Sequence, residues 1–445
     1  MIKRPPVKPK QKEELEEEQP PMKIGKIFHA PRGMRDILPE DAEIFETIRR
    51  VFTAAADAYG FGGIETPLLE ETDLFTKGVG RSTDIVRKQM FSFRTKGGDT
   101  VTLRPEGTAG VVRAYLERGM FNLPHPVKLR YWGPMFRYER PQAGRYRQFH
   151  QMGVEVIGEK NAVIDAQVIQ LLFTVLGELG ITNTAAELSS VGCKACRPAY
   201  RTALVSYFKP DSRRLCPDCR RRLSESPLRI FECDKEKCRE LAEKAPQIID
   251  RLCGECHDHL KDVLEFLDEL AIPYRLNHKL VRGLDYYSKT VFEFWPEDAP
   301  GHALGSGGRY DDLVELLGGR ATPAVGFAAG IERLVEEIKK RGVRPASGTA
   351  SAFLVQLGEL ARRRSLKLFD ELRKANIRVV ESFGRNSIKS QLRVANRLES
   401  PIALIFGQKE ALDGSIIIRD MQSGIQETVP LAKLVPELQK RLHKE

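Results

Sequence analysis

The chain has no cysteine before Cys193 and none after Cys256, so all eight of its cysteines sit in one stretch. That distribution excludes general disulfide stapling and makes the thiols a local device. No apolar run reaches the roughly 20 residues that span a bilayer, and the first residues lack the apolar core of a signal peptide. Both absences predict a cytoplasmic protein with no membrane partner. The nucleotide fingerprints GxGxxG and GxxxxGK(S/T) are missing too, so the Gly305-Ser306-Gly307-Gly308 cluster is neither a Rossmann turn nor a P-loop. It reads as a place where backbone approaches a ligand or a neighbouring strand. Acidic residues are the minority of the charges, 61 against 71 basic, for a net charge of +10. The excess favours a polyanionic partner, RNA or DNA, although a basic chain also gains solubility from it.

What is present is enough for two or three domains: 445 residues, 41% hydrophobic and 30% charged, a globular composition. Residues 1–25 read as a disordered tail, with a basic Pro-rich start, an acidic run from Glu13 to Glu18 and Pro20-Pro21. Asp41 is placed to cap a helix whose Phe45, Ile48, Phe52, Ala55 and Tyr59 repeat at helical spacing. Gly60 ends it, and Ile64-Glu65-Thr66-Pro67 is extended, with a proline that suits an edge or an interface. Strand Val101–Leu103 runs into Arg104-Pro105-Glu106-Gly107-Thr108, where Thr108 can cap a helix from Ala109 and Glu106 can receive a cation.

Leu129–Gly158 predicts two strands joined by a basic loop, with the reversal at Pro141-Gln142-Ala143-Gly144. In the second strand Gln151, Gly153 and Glu155 share a face, so an amide and a carboxylate stand about 13 Å apart at roughly 3.3 Å per residue. Gly153 leaves room between them for something else, and a small polar ligand would satisfy the two polar groups. An amphipathic helix follows, marked by Ile164, Val168, Leu171, Leu172, Val175 and Leu179.

The cysteines come as Cys193/Cys196, Cys216/Cys219, Cys233/Cys238 and Cys253/Cys256. The first two CxxC pairs have zinc-ribbon-like spacing, which predicts structural zinc on Cys193, Cys196, Cys216 and Cys219 with the third pair as spare ligands. Redox-active pairs and metal-free thiols are the alternatives. Leu280–Phe294 then gathers Arg282, Asp285, Tyr286 and Tyr287, and Thr322–Leu334 reads as a strand turning into a helix that carries Arg333. Arg341–Gly348 looks like a linker. Beyond it, strands and helices alternate in an α/β domain of about a hundred residues. Lys389, Arg393 and Arg397 recur there on one helix face, a candidate RNA contact.

Assembled, these stretches resemble the class II aminoacyl-tRNA synthetases, and within them the histidyl-tRNA synthetase family, from about Ile27 to the C-terminus. Gly60–Pro67 resembles class motif 1, whose proline lies at the dimer interface. Phe136–Glu139 with the Arg140–Phe149 loop resembles motif 2, and Gly326–Arg333 resembles motif 3. Leu280–Tyr287 (LVRGLDYY) and Gly305–Tyr310 (GSGGRY) are similar to the histidine-specific signatures; LRPEGT and ERPQAGRYRQFHQ resemble bacterial members. The resemblance implies an α+β fold: an antiparallel sheet flanked by helices over residues 26–190 and 271–340, and an inserted cysteine-rich domain over 191–270. A linker at 341–350 and an α/β anticodon-binding domain at 351–445 complete it.

It also implies a homodimer that uses ATP, Mg2+ and L-histidine to charge histidine tRNA through a histidyl-adenylate. By resemblance Arg137 and Arg282 are catalytic at the α-phosphate, Arg333 binds the far phosphates, and Glu139 and Arg145 complete the ATP site. Glu106, Thr108 and Gln151 hold the amino and carboxylate end of histidine. Glu155 and Tyr287 grip the imidazole nitrogens, with Tyr286 and Tyr310 nearby, while Arg140 and Gln142 meet the tRNA acceptor end. Two rivals are weighed. A histidine-sensing regulatory subunit related to this core should lack the C-terminal domain and the catalytic arginines, whereas Arg137, Arg282 and Arg333 are all present. A sister enzyme for proline, threonine or glycine would have no use for Glu155 beside LDYY.

Overall fold

The structure is a computed structural model of the chain, and it describes residues 28–141, 144–297, 303–342, 352–382 and 387–442. The tail, most of the linker and Gln142 lie outside these residues. Two units account for the described chain, one holding Phe52–Leu176 and Thr182–Leu334 and the other holding Pro39–Val51, Gly177–Ile181 and the residues from Val335 on.

In the first unit, β1 (Gly62–Gly63) precedes a small sheet of β2 (Leu69–Glu71), β3 (Phe91–Arg94) and β4 (Thr100–Leu103). The long hairpin follows as β5 (Val127–Phe136) and β6 (Gln148–Ile157), paired from Val127↔Ile157 to Phe136↔Gln148. After β7 (Thr184–Ser190) comes the cysteine-bearing segment, and β8 (Tyr274–Leu276), β9 (Ser288–Pro296), β10 (Gly305–Arg309) and β11 (Ala324–Gly330) complete an eight-stranded sheet. Its order is β1-β5-β6-β11-β10-β9-β7-β8. The expected sheet is antiparallel; the observed one is antiparallel through its centre, but both edge strands, β1 and β8, run parallel to their neighbours.

The strand β6 is buried on both faces from Met152 to Ile157, and the largely apolar helix Ala162–Glu178 lies over the same sheet at β10. A Cβ on Gly305 would meet Leu172 of that helix at 2.9 Å. A charged contact survives inside: Arg309 of β10 donates its Nε to both oxygens of Asp165 on the helix at 3.1 Å, with both side chains fully buried. A buried pair of this kind pins one packing register, because removing either partner strands a charge.

Asp41 is not the cap of the Pro39–Ala58 helix. Extended Leu38 takes that position and Pro39 starts the helix, the residue whose missing N–H costs nothing there. Asp41 lies inside the first turn, favoured by the positive helix end, and pairs with Lys339.

The second unit contains a five-stranded sheet, ordered β13-β12-β14-β15-β16. Its strands are β12 (Ala352–Gln356), β13 (Val379–Glu381), β14 (Ile402–Phe406), β15 (Ser415–Asp420) and β16 (Gln426–Pro430). The first three are parallel and the last two antiparallel. The helices Glu359–Lys374 and Leu434–Leu442 supply Ala361, Leu368, Leu372 and Leu438 to its core. The polar edge strand β16, exposed except at Val429, carries too little alternation to be read from sequence. Lys389, Arg393 and Arg397 lie exposed along the Ile388–Arg397 helix. No helix among the described residues is long and apolar enough to cross a membrane.

Candidate active site

A cavity of about 390 Å³ opens in the first unit, lined by Glu106, Thr108, Arg137, Glu139, Arg145, Gln151, Glu155, Arg282, Tyr286, Tyr287, Tyr310 and Arg333. The structure thus gathers every described residue expected at ATP or histidine. Arg140 is exposed and outside this lining.

The turn before the Thr108–Glu117 helix sets one wall. Glu106, not Thr108, satisfies the helix start: its carboxylate accepts the N–H groups of Thr108 at 2.7 Å and Ala109 at 2.8 Å. Burial pushes the Glu106 carboxyl up, against the pull of those two donors. The Thr108 hydroxyl donates to Glu155 Oε1 at 2.7 Å. Arg137 braces the same turn, donating Nε to the Pro105 carbonyl at 2.8 Å.

Glu155 sits in the C-terminal half of β6, 1% exposed. Tyr310 donates to its other oxygen. Burial pushes its carboxyl up to about 8, with Tyr310 and Thr108 holding it down and the nearby Glu106 charge adding to the rise. Its space exists because β11 places a glycine opposite: a Cβ on Gly326 would lie 1.9 Å from Glu155 Oε2 and 2.3 Å from the Val154 carbonyl.

The gap expected at Gly153 is not ligand space. Tyr131, directly across on β5, fills it, since a Cβ there would meet the Tyr131 ring at 2.4 Å. Gly107 faces the same ring at 2.4 Å, so two glycines hold one tyrosine beneath the site. Above it, the rings of Tyr286 and Tyr287 stand 4.9 Å apart and those of Tyr286 and Tyr310 5.6 Å apart, an aromatic wall. Among the described residues, Gln151 Oε1, Arg282 Nε and Trp295 Nε1 are buried without a hydrogen-bond partner, and all three residues line the cavity. Unmet groups of this kind call for a polar ligand.

The other end of the cavity is cationic. Arg137 lies over Phe149 at 5.3 Å, and Arg333 reaches the Ala303 carbonyl at 2.8 Å. Burial lowers the Arg333 guanidinium's affinity for its proton, and the charges of Arg145 and Arg137 lower it further. Three cations that repel one another around a void suit a polyphosphate. Arg282 enters from the Leu280–Tyr287 loop, pairs with Glu293 of β9, and lies 5.7 Å over Tyr287. Burial opposes its charge, but Glu293 and Tyr287 outweigh burial and hold it firmly protonated.

Sequence reading missed Glu293, although a lone carboxylate in the apolar run Val291-Phe292-Glu293-Phe294 was a signal. It also missed Glu332, which accepts the His150 backbone N–H at 2.9 Å and ties the Ile331–Lys340 helix start to β6. Nothing in spacing alone marks that pairing.

The cysteine grouping differs from expectation. Cys193 and Cys196 do not converge with Cys216 and Cys219. The first pair meets Cys253 and Cys256, and the second meets Cys233 and Cys238, the sulfurs of each quartet lying within 4.8 Å of one another. The helices between the pairs fold the chain so that sequence neighbours part and distant pairs join. These helices have their own core, including Tyr200, Leu204, Phe208, Leu215 and Ile230.

With this geometry in place, likeness to known proteins is informative. Residues 33–334 match the histidyl-tRNA synthetase family, and residues 351–441 match an anticodon-binding domain family. The histidine–tRNA ligase of Dehalococcoides mccartyi is 45% identical over 418 residues, 94% of this chain and 100% of that one. That of Desulforamulus reducens is 43% identical over 91% of this chain and 97% of its own. Among solved structures, apo S. aureus histidyl-tRNA synthetase superposes with a TM-score of 0.78 at 36% identity, covering 93% of this chain and all (100%) of that one. A class II synthetase core with a C-terminal anticodon-binding domain, built on this cavity, places the chain in the histidyl-tRNA synthetase family.

Proposed function

We propose that the cavity binds L-histidine at its Glu155 end and ATP at its arginine end, in line for reaction. The enzyme ligates histidine to its tRNA in two steps. A histidine carboxylate oxygen attacks the α-phosphorus of ATP, the bond to the β-phosphate breaks, and histidyl-adenylate and diphosphate form. The histidyl group then passes to the terminal adenosine of histidine tRNA, releasing AMP.

The observation that carries the residue roles is the polarity of one cavity: a buried protonated carboxyl with tyrosines at one end, four arginines towards the other. Glu155 and Tyr287 read the imidazole nitrogens, and an analogue lacking those nitrogens would leave buried groups unpaired. Tyr310 and Tyr286 wall the ring, and Glu106, Thr108 and Gln151 orient the amino and carboxylate end. Attack on phosphorus builds negative charge, so fixed cations matter more than a proton shuttle. Arg137 and Arg282 flank the α-phosphate, Arg333 and Arg145 take the far phosphates, and Glu139 completes the nucleotide site. Glu139 and Glu293, hard oxygen donors lining the same space, would hold Mg2+ brought with ATP, whose chemistry is neutralising phosphate charge.

Arg140 and Gln142 meet the tRNA acceptor end, and Lys389, Arg393 and Arg397 contact the anticodon region. The protein works in the cytoplasm as a homodimer through Gly60–Pro67, where Pro67 is exposed and the Leu68 and Leu69 that follow it extend the exposed surface. The cysteine segment holds structural zinc, because four sulfur ligands leave no open catalytic position. Diphosphate exchange into ATP tests the core of this reading: it should depend on histidine, and equal exchange with another amino acid would overturn it.

A further inference from the structure

The loop that carries Arg282 and Tyr287 has no regular structure of its own between β8 and β9. Residues beside the cysteine quartets hold it from two sides. Arg197, next to Cys196, donates to the Tyr287 carbonyl. Arg229, four residues before Cys233 and 3% exposed, donates to the Gly283 carbonyl at 3.2 Å, pairs with Asp285 at 3.1 Å and reaches the Ser82 carbonyl at 3.3 Å. The strand that follows the loop is stitched to the first quartet as well. Lys289 donates its N–H to the Gly192 carbonyl at 3.0 Å and its Nζ to Glu255, between Cys253 and Cys256, at 2.8 Å.

The quartets have the dimensions of metal sites. A tetrahedral zinc with sulfurs at about 2.3 Å requires sulfur–sulfur edges of about 3.8 Å. Cys193 stands 3.7 Å from Cys196 and 3.8 Å from Cys253, and Cys216 stands 3.9 Å from Cys233. All eight cysteines are free of disulfides. Backbone N–H groups already point at the sulfurs, from Cys253 to Cys196 at 3.1 Å and from Cys216 to Cys238 at 3.3 Å, as donors around a bound thiolate do. The first quartet joins chain positions 60 residues apart, so it fastens the two ends of the insert together.

We propose that the insert binds two zinc ions, one per cysteine quartet, and that the zinc-bound insert holds the Val281–Tyr287 loop in its histidine-binding shape through Arg197 and Arg229. The second half of this rests on the assignment of Tyr287 to histidine.

Metal analysis of the full chain, purified without chelator, should give two zinc ions per chain. C193S/C253S and C216S/C233S should each retain one. Zero or one zinc in the unsubstituted protein, or iron in its place, overturns the two sites whatever the activity. R197M, which acts at the Tyr287 end of the loop, should keep both ions yet raise the KM for histidine in diphosphate exchange about tenfold, or about 1.4 kcal/mol, with the KM for ATP changed less than about twofold. R229M, which releases Gly283 beside Arg282, should keep both ions and weaken the use of ATP as well as histidine. Unchanged histidine KM in R197M, with both ions bound, overturns the coupling and leaves the sites standing. Should R229M fail to fold because Asp285 is left unpaired, R197M, which removes only donors to the Tyr287 and Val191 carbonyls, decides the matter. Loss of histidine dependence in the unsubstituted enzyme would instead defeat the histidine assignment and leave the metal count untouched.

Discussion

Thr108 and Glu155, 47 residues apart in sequence, are joined by a 2.7 Å hydrogen bond from the threonine hydroxyl to the carboxyl. Glu106 meets the free N–H groups of Thr108 and Ala109 at the helix start, and the threonine hydroxyl turns to the sheet instead of the helix. It ties the first turn of a helix to the sheet at Glu155, the side chain proposed to read the imidazole.

The pH dependence of histidine binding follows from Glu155. With its carboxyl pushed up to about 8, the unliganded site is protonated at neutral pH. Neutral histidine then binds without proton exchange, whether the shared proton ends on carboxyl or imidazole. Above about pH 8 a proton must be taken up, so the KM for histidine should rise towards tenfold per pH unit. The same elevated value means the fold holds a proton that the unfolded chain releases near pH 4.3, so stability falls as pH rises from there to about 8. Glu155→Gln should raise the KM at all pH values and abolish both dependences, read by exchange kinetics and by denaturant midpoints.

Arg282→Ala should reduce adenylate formation by about 10²- to 10³-fold, the loss expected for one preorganised charge at a developing anion. The Glu293 carboxylate, its partner, is left behind. The double variant with Glu293→Gln should therefore fold better than the single one and remain as inactive. Unchanged turnover in either would remove Arg282 from catalysis.

Gly326→Ala tests the space for Glu155. The new Cβ would lie 2.3 Å from the Val154 carbonyl, which is backbone and cannot swing aside. A destabilisation of about 1–3 kcal/mol or more is expected, with a raised KM for histidine in whatever folds. A fully stable, fully active variant would mean Glu155 is not held where the structure puts it.

Reversing Lys389, Arg393 and Arg397 to glutamate should weaken tRNA charging and its salt dependence while leaving diphosphate exchange intact. The three side chains are exposed, and no ion pair engages them among the described residues. Equal losses in both assays would argue against a role confined to tRNA.

The hairpin was legible because its alternation and its Pro-Gln-Ala-Gly turn are local signals, and β5 and β6 end within two residues of expectation. The arginines and tyrosines of the site were named through the family resemblance of LVRGLDYY, GSGGRY and the two motif-like stretches around Arg137 and Arg333; the residue pattern alone marked only the Arg282–Tyr287 cluster. Asp41 and Thr108 were misread for a shared reason. Where a helix starts is settled by the neighbours: Pro39 begins the first helix with no side-chain cap, and at the second Glu106 reaches the free N–H groups. Gly153 misled in the same way, since a missing side chain does not say whether a ligand or Tyr131 takes the room.

By itself, the sequence determined the strand and helix types, the cysteine confinement and the residue types at the site, all properties of short windows set by side-chain period and backbone preference. Only the tertiary structure decided partnership. It joined Cys196 to Cys253 rather than to Cys216, gave Arg282 its Glu293, and set Gly326 against Glu155. Each is a contact between segments whose meeting depends on how whole elements pack, and no spacing along the chain encodes that.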